Sequence, residues 1–190
     1  MPGRQLAGDA MELEAPEQSM RTDEELILEF QHGSNRAFEE LFRRYLEPIY
    51  GFFRRRLNDM ARAEELAQET FLAVIRGRER YQPRALVRTY LYGIAFKQLA
   101  AERRSRVRTA PPSAMGGTNS RHPDAAMWVR EAMGKLDAQA REVVMLREYE
   151  QLSYEEIALL LRIPLNTVRS RLFRARMELK SLLLSRHRAF

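Results

Sequence analysis

The spacing of apolar residues is the feature that most limits what this chain can fold into. Across residues 22–104 and 126–186, apolar side chains recur every three or four positions, and no segment alternates as a half-buried strand would. The pattern stops at residues 105–125, which read SRVRTAPPSAMGGTNSRHPDA and are rich in Pro, Gly, Ser, Thr and Asn. The sequence therefore predicts an all-α protein of two small helical domains joined by a flexible linker.

The ends of the predicted elements carry local signals. Residues 1–21 are mostly polar and predict a mobile N-terminal tail. Thr22 and Glu25 form a possible capping box, and helical spacing continues from there through Tyr50. Further helices are predicted at about 61–76, 86–104, 137–149, 153–161 and 164–184, with a restart near Asp124. The 21-residue linker would reach at most about 70 Å when extended.

Positive charge is concentrated in two segments of the chain. The net charge is +6, yet residues 76–108 hold ten Lys or Arg and two Glu, and residues 162–190 hold eight Lys or Arg and one Glu. The remainder of the chain is therefore acidic overall. Segregation on this scale favours a polyanionic partner, whose binding releases counterions. Clustering of charge on solvated surfaces is the alternative.

The sequence lacks the residues that several classes of functional site require. The chain has no cysteine and its three histidines lie far apart, so neither a disulfide nor a metal site is predicted. No apolar run approaches the roughly 20 residues of a membrane helix, and the N-terminal residues lack an apolar signal core. Carboxylate pairs such as Glu64/Glu65 and Glu155/Glu156 lie near no Gly-rich phosphate loop. We therefore expect a soluble, cytoplasmic protein with no cofactor, no membrane insertion and no enzymatic activity.

Residues 152–179 have the pattern of a helix-turn-helix and read LSYEEIALLLRIPLNTVRSRLFRARMEL. Ser153 and Glu156 form a capping box in front of an apolar helix. Pro164 suits the start of a second helix, because its fixed φ is helical. On that second helix one stripe is predicted to pack against the first helix, and it consists of Val168, Leu172, Ala175 and Leu179.

The remaining faces of the second helix are rich in arginine and short polar side chains. Arginine can read guanine edges or clamp phosphates, and an exposed ring can contact a thymine methyl. We call this set the reading face: Thr167, Arg169, Ser170, Arg171, Phe173, Arg174 and Arg176. The pattern favours a helix that lies in the major groove of duplex DNA. The alternative is a basic amphipathic helix with a solvated face.

The predicted helix around residues 63–75 gathers acidic and polar side chains on one side. We call this set the docking face: Glu65, Gln68, Glu69 and Leu72. An acidic face with an exposed leucine suits protein docking. A surface helix with one stray leucine is the simpler reading from periodicity alone.

Residues 76–108 interleave aromatic rings with cations. Rings can stack on unpaired bases while cations follow the phosphates of a single strand. We call the candidates the strand-capture set: Arg80, Tyr81, Arg84, Arg88, Tyr90, Lys97, Arg103 and Arg104. Tyr92 and Phe96 add further rings, whereas Leu91, Ile94 and Tyr90 could instead be core residues.

These motifs resemble conserved regions of one protein family. The stretch LSYEEIALLLRIPLNTVRSRLFRARMEL resembles the fourth conserved region of extracytoplasmic-function sigma factors of bacterial RNA polymerase. EELAQETFLAVI and YQPRALVRTYLYGIAFKQLAAERRSR resemble parts of the second conserved region. The resemblance covers about residues 23–104 and 126–184, which identifies 22–104 as a region 2 domain and 126–186 as a region 4 domain.

The resemblance assigns a role to each set. The reading face is expected to bind the −35 element, and the docking face to bind the clamp helices of the largest subunit of core RNA polymerase. The strand-capture set is expected to hold the melted −10 strand, with a flipped base received near 80–89. Contact of region 4 with the polymerase flap, and inhibition by an anti-sigma factor, are also implied. Such a protein directs promoter recognition, DNA melting and transcription initiation.

The sequence departs from the family pattern at four positions. Arg162 stands where the turn usually has glycine, and a left-handed backbone would cost arginine about 1 kcal/mol. We therefore expect a slightly different turn. Tyr90 stands where tryptophan is usual, Lys97 where asparagine is common, and Ala101 where aspartate is common. We expect these last three to affect base preference at −10.

The main rival function is that of a transcription regulator. Such a protein would bind duplex DNA through its helix-turn-helix and would not act as a polymerase subunit. It would leave the docking face and the strand-capture set without a role, and binding to core polymerase would separate the two functions.

Overall fold

The computed structural model describes residues 21–82, 86–109 and 125–187. These residues form eight α-helices and one short 3-10 turn, with no strand among them. The helices are α1 (Asp23–Gln31), α2 (Asn35–Arg54), α3 (Met60–Arg76), α4 (Val87–Thr109), α5 (Ala125–Lys135), α6 (Ala138–Glu148), α7 (Tyr154–Leu161) and α8 (Leu165–His187), and the 3-10 turn is Arg78–Arg80. The predicted all-α fold is confirmed.

Side-chain caps determine where several helices begin. Thr22 and Glu25 form the predicted capping box of α1, and Ser153 and Glu156 form that of α7. Asp59 caps α3 by accepting a hydrogen bond from the amide of Arg62. Each such cap stabilises its helix by about 1 kcal/mol.

Although apolar residues keep helical spacing as far as Tyr50, the helix is interrupted between α1 and α2. The chain turns at Gly33, whose φ of 106° favours glycine because it has no Cβ. Ser34 then caps α2 by accepting a hydrogen bond from the amide of Ala37 at 3.3 Å. The first predicted helical region is therefore two helices that pack against each other.

Helices α1 to α4 enclose an aromatic and aliphatic core. Ile49, Phe52, Phe53, Leu66 and Leu91 are fully buried, and each contributes about 1.5–3 kcal/mol through removal of its side chain from water. A second layer of rings runs through Phe30, Phe38, Phe42 and Phe71 with centroid separations of 4.8–6.4 Å. The inner face of α2 supplies Ile49, Phe52 and Phe53 to this core.

Helices α5 to α8 form the second half of the molecule. The predicted apolar stripe of α8 lies inside, with Val168, Leu172 and Ala175 buried and Leu179 packed partly buried at its end. Ile157 of α7 and Leu146 of α6 are fully buried in the same half. The helix-turn-helix is therefore held by the contacts that its spacing predicts.

The turn between α7 and α8 takes the left-handed conformation at Arg162, with φ 54° and ψ 45°. The amide of Ile163 donates to the carbonyl of Ala158 at 3.1 Å, which is the bond of a Schellman-type helix end. The expected change in the shape of the turn is thus wrong at this residue. Arginine itself adopts the conformation that usually selects glycine.

Some predicted boundaries differ from the structure. Helix α4 continues to Thr109, so the first residues assigned to the linker are helical. Residues 1–20, the central linker residues 110–124 and Arg84 lie outside the described residues. The assignment of a mobile tail and a flexible linker stays a prediction.

We predict that Arg162→Gly raises the free energy of unfolding by about 0.5–1 kcal/mol. Glycine removes the 1–2 kcal/mol left-handed cost, and part of that gain is lost to the greater entropy of the unfolded chain. Chemical denaturation monitored by circular dichroism measures the change. Arg162→Ala is the matched control, because it removes the side chain but keeps the Cβ. A loss of stability in Arg162→Gly would show that the arginine side chain itself stabilises the turn.

Candidate nucleic-acid and protein-docking surfaces

The reading face of α8 is largely open to solvent. Arg169, Ser170 and Arg174 are exposed, Phe173 is 66% exposed, and Thr167 and Arg171 are half-buried. The Ser170 hydroxyl donates to the carbonyl of Thr167 at 3.1 Å. An apolar ring left in water beside three arginines is the arrangement expected of a surface that contacts both base edges and phosphates.

Arg176 differs from the other arginines of the reading face. Its guanidinium forms an ion pair with Glu148 at 2.7 Å, which raises the pKa of Arg176. Both side chains are exposed, so the pair contributes little to stability and can exchange for a phosphate. Sequence reasoning missed Glu148, because it belongs to α6 and no local spacing connects the two residues.

The docking face lies on the outer side of α3. Glu65, Gln68 and Glu69 are exposed, and Leu72 is 45% exposed, as the helical spacing predicts. Ile75, which the sequence did not single out, is equally exposed and lies three residues beyond Leu72. Two neighbouring apolar side chains make this face better suited to a protein partner than a single leucine would be.

The acidic charge of the docking face is partly neutralised by Arg62. Its guanidinium contacts Glu65 at 2.9 Å and Glu69 at 3.1 Å, and its Nε donates to Glu102 of α4 at 3.0 Å. The i, i+3 spacing of Arg62 and Glu65 is a signal that the sequence does contain. The docking face is thus a mixed polar and apolar surface held in place by one arginine.

The rings of the strand-capture set are packed against each other. Tyr81 is only 4% exposed, and its ring meets that of Tyr90 edge-on at a centroid distance of 5.3 Å. Burial, with a smaller contribution from the carboxylate of Glu24, raises the pKa of Tyr81. Tyr81 therefore offers no open face to a base while the two rings are packed, which differs from the open ring that the sequence suggests.

The cations of the strand-capture set fall into two groups. Arg80, Lys97 and Arg104 are exposed, and Arg103 is exposed with Glu142 as a distant partner at 3.9 Å. Arg88 is half-buried and engaged elsewhere. Leu91 and Tyr92, which follow Arg88 on α4, are core residues, and burial raises the pKa of Tyr92 to about 12.

Arg88 and Thr89 bind the carboxylate of Glu156, which belongs to the helix-turn-helix. Arg88 Nη2 lies 2.6 Å from Glu156 Oε2, and the Thr89 hydroxyl donates to Oε1 at 2.7 Å. The same carboxylate accepts a hydrogen bond from the amide of Ser153 in the capping box. Burial acts to raise the pKa of Glu156, but the hydrogen bonds from Arg88, Ser153 and Thr89 outweigh it and leave the pKa below its usual range.

A second contact between the two halves buries full charges. Arg56 of α2 contacts Glu150 and Glu142 at 2.8 Å each, and Arg55 contacts Glu150 at 3.1 Å. The side chains of Arg56 and Glu150 are 1% and 0% exposed. Nothing in the sequence reveals this contact, because the partners are separated by more than 80 positions and carry no shared motif.

Two kinds of feature were not found in the part of the chain that the structure describes. No group of three or more His, Cys, Asp or Glu side chains could hold a metal ion there. None of the described helices combines the length and apolar character required to cross a membrane.

Comparison with known proteins gives consistent matches. The family "Sigma-70 region 2" matches residues 41–109, and "Sigma-70, region 4" matches residues 126–179. RNA polymerase sigma-H factor of Pseudomonas aeruginosa is 31% identical over 81% of this chain and 90% of its own length. RNA polymerase sigma factor CarQ of Myxococcus xanthus is 34% identical over 81% of this chain and 93% of its own length. ECF RNA polymerase sigma-E factor of Haemophilus influenzae is 28% identical over 82% and 92% of the two chains.

Two solved structures share the fold. CnrH, in complex with the cytosolic domain of CnrY, superimposes with a TM-score of 0.65 and 24% identity, over 86% of this chain and 97% of that chain. The sigma factor RpoE from Bartonella quintana, in complex with the anti-sigma factor NepR, gives a TM-score of 0.63 and 22% identity, over 77% and 96%. At these identities the likeness concerns the fold alone.

We predict that Glu150→Gln separates the two halves of the molecule. With the halves in contact, the change costs about 3 kcal/mol, the low end for a broken buried pair because Glu142 still faces Arg56. When the two halves separate, the guanidinium groups of Arg55 and Arg56 are hydrated again, and this cost does not arise. Small-angle X-ray scattering should show a radius of gyration clearly above the about 16 Å of a compact 190-residue chain.

The control for this prediction is Glu148→Gln. Glu148 lies two residues away and pairs with Arg176 at the surface, so its loss should leave the radius of gyration unchanged. An unchanged radius for Glu150→Gln would show that apolar packing, and not the buried ion pairs, holds the halves together.

Proposed function

The chain belongs to the extracytoplasmic-function type of RNA polymerase sigma factors, and we propose that it divides its work among three surfaces. A sigma factor binds core RNA polymerase and directs promoter recognition, DNA melting and transcription initiation. In this chain the docking face of α3 binds the polymerase and the reading face of α8 binds the −35 duplex. The strand-capture set, which begins at Arg80 of the 3-10 turn and continues into α4, holds the melted −10 strand. The observation that carries the proposal is that region 2 and region 4 occur in one chain, with the docking face and the reading face largely exposed.

The rival function, a regulator that binds only duplex DNA, fits less well. A helix-turn-helix alone would account for residues 126–179, whereas the region 2 match covers 41–109. Binding to duplex DNA alone does not account for the exposed apolar pair Leu72 and Ile75 on α3. Catalysis belongs to the polymerase, and we propose that this chain supplies binding and positioning only.

The proposed function requires the two halves to move apart. The −35 and −10 elements are about 25 base pairs apart, or about 85 Å of duplex. Arg88 and Glu156 lie 2.6 Å apart in this structure, so Arg88 is unavailable to a phosphate while the pair is intact. We propose that binding to polymerase and promoter replaces this contact, with the segment between the halves as a tether.

Two further features of the family are part of the proposal. An anti-sigma factor that holds the halves in a closed form would fit the contacts between them, and the surface that it covers would include the reading face. Because polymerase and promoter are the partners, the proposed place of action is the cytoplasm.

The most direct prediction concerns transcription with core polymerase. The purified protein should give RNA that starts at one site of a responsive promoter, and Leu72→Arg should abolish this product because it places a charge on the docking face. Run-off transcription on a genomic library measures both. Met60→Arg is the matched control, because Met60 is exposed at the other end of α3 and lies outside the docking face. Absence of a specific product with wild-type protein would refute the function.

A second prediction concerns the reading face. Arg171→Ala or Arg174→Ala should weaken binding to the −35 duplex by about 1–3 kcal/mol if the side chain reads a base. Titration of duplexes with the wild-type and with a scrambled −35 sequence separates the roles, because loss of a phosphate contact weakens both equally. Lys180→Ala removes an exposed charge one turn beyond Arg176, outside the reading face, and should have little effect. A loss as large for Lys180→Ala would indicate that general charge, and not the reading face, determines affinity.

A further inference from the structure

Helix α1 contacts the chain just before the connection that leads into α4. The side-chain amide of Gln31, the last residue of α1, donates to the carbonyl of Arg78 at 2.9 Å and to the carbonyl of Tyr81 at 3.0 Å. One amide group therefore binds the first residue of the 3-10 turn and the residue that follows the turn. The guanidinium of Arg78 also lies over the ring of Phe30 at 5.7 Å.

The other end of α1 contacts the chain where α4 begins. The carboxylate of Glu24 accepts a hydrogen bond from the amide of Val87 at 3.0 Å. Val87 is the first residue of α4, so its amide has no partner within the helix. A carboxylate at this end of a helix is also favoured by the helix dipole. Gln31 and Glu24 thus fix the points where the chain enters and leaves residues 82–86.

Helix α1 is itself firmly attached to the rest of the first half. Leu26, Ile27 and Phe30 are buried in the core. Asp23 accepts hydrogen bonds from the hydroxyl of Tyr45 and from Arg44, the latter at 2.7 Å. The groups that hold the connection are therefore mounted on a rigid support, as precise positioning requires.

We propose that Gln31 and Glu24 are positioning residues for capture of the −10 strand. The inference rests on the proposed function and extends it to α1, which lies before residue 41, where the region 2 match begins. Both side chains bind backbone groups, so they fix the chain at Arg78, Tyr81 and Val87 whatever side chains these positions carry. With these points fixed, the backbone that carries Tyr81 and Arg88 keeps its position when their side chains leave their present contacts, and less entropy is lost when the strand binds.

A purely structural role makes a different prediction. If α1 only stabilised the fold, loss of either contact would lower the melting temperature and weaken all activities together. A positioning role instead weakens strand capture while binding to the −35 duplex and to core polymerase stays intact. Glu24 allows a matched pair of variants, because one substitution can remove the acceptor of the Val87 amide while another keeps it.

The experiment compares Gln31→Glu, Glu24→Ala and Glu24→Gln in holoenzyme assembled with core polymerase. Gln31→Glu keeps the size of the side chain but places carboxylate oxygens against two carbonyl oxygens. Glu24→Ala removes the acceptor, whereas Glu24→Gln retains one for the amide of Val87. Glu29→Gln, which affects only a surface pair with Arg21, is the control on the same helix. The probes are the non-template single strand of a promoter found by run-off transcription, its −35 duplex, and core polymerase.

We expect Gln31→Glu and Glu24→Ala to bind the single strand about tenfold more weakly, as loss of one or two hydrogen bonds implies. Glu24→Gln and Glu29→Gln should match the wild type, and all four variants should bind duplex and polymerase normally. Wild-type affinity of Gln31→Glu for the strand overturns the inference. So does a parallel loss of all three affinities and of melting temperature. If the wild-type holoenzyme starts no specific RNA, the proposed function fails, and the role of α1 fails with it.

Discussion

The buried ion pair between Arg56 and Glu150 is the interaction on which the arrangement of the two halves depends. Full charges are costly to bury, and they are tolerated here because each faces an opposite charge in the other half of the molecule. The pair is imperfectly satisfied, since Glu150 Oε2 and Arg55 Nε are buried without a hydrogen-bond partner in the described structure. When the halves separate, water hydrates these charged groups, and their hydration offsets much of the lost attraction. The ion pair therefore holds the two halves together less firmly than an apolar contact would.

Glu156 shows how the halves can part without unfolding. Its carboxylate serves two purposes: it completes the capping box of α7 with Ser153, and it holds Arg88 and Thr89 of α4. Only the second depends on the other half of the chain. When Arg88 leaves, the cap remains and α7 keeps its start, so the helix-turn-helix is preserved. The freed guanidinium then becomes available to a phosphate, as the proposed capture of the −10 strand requires.

Local signals predicted the helices, and they could not predict the contacts between distant residues. The capping box of Ser153 and the buried stripe at Val168 follow from spacing of three or four residues, which is visible in any short window. The inward turn of Tyr81 and the pairing of Arg56 with Glu150 depend on packing between helices far apart in sequence. Glycine is usual at position 162, yet Arg162 takes the left-handed conformation, because tertiary packing overrides an intrinsic preference of about 1 kcal/mol.

The contacts that close the molecule and those proposed to bind DNA respond differently to salt. Arg56 and Glu150 are removed from solvent, so their attraction is screened little. Contacts between exposed arginines and phosphates gain most of their free energy from counterion release, which falls steeply as salt rises. Added salt therefore weakens promoter binding while it leaves the buried pair nearly unchanged. Because both halves stay in one chain, the closed form competes at a fixed effective concentration, and rising ionic strength shifts the balance toward it.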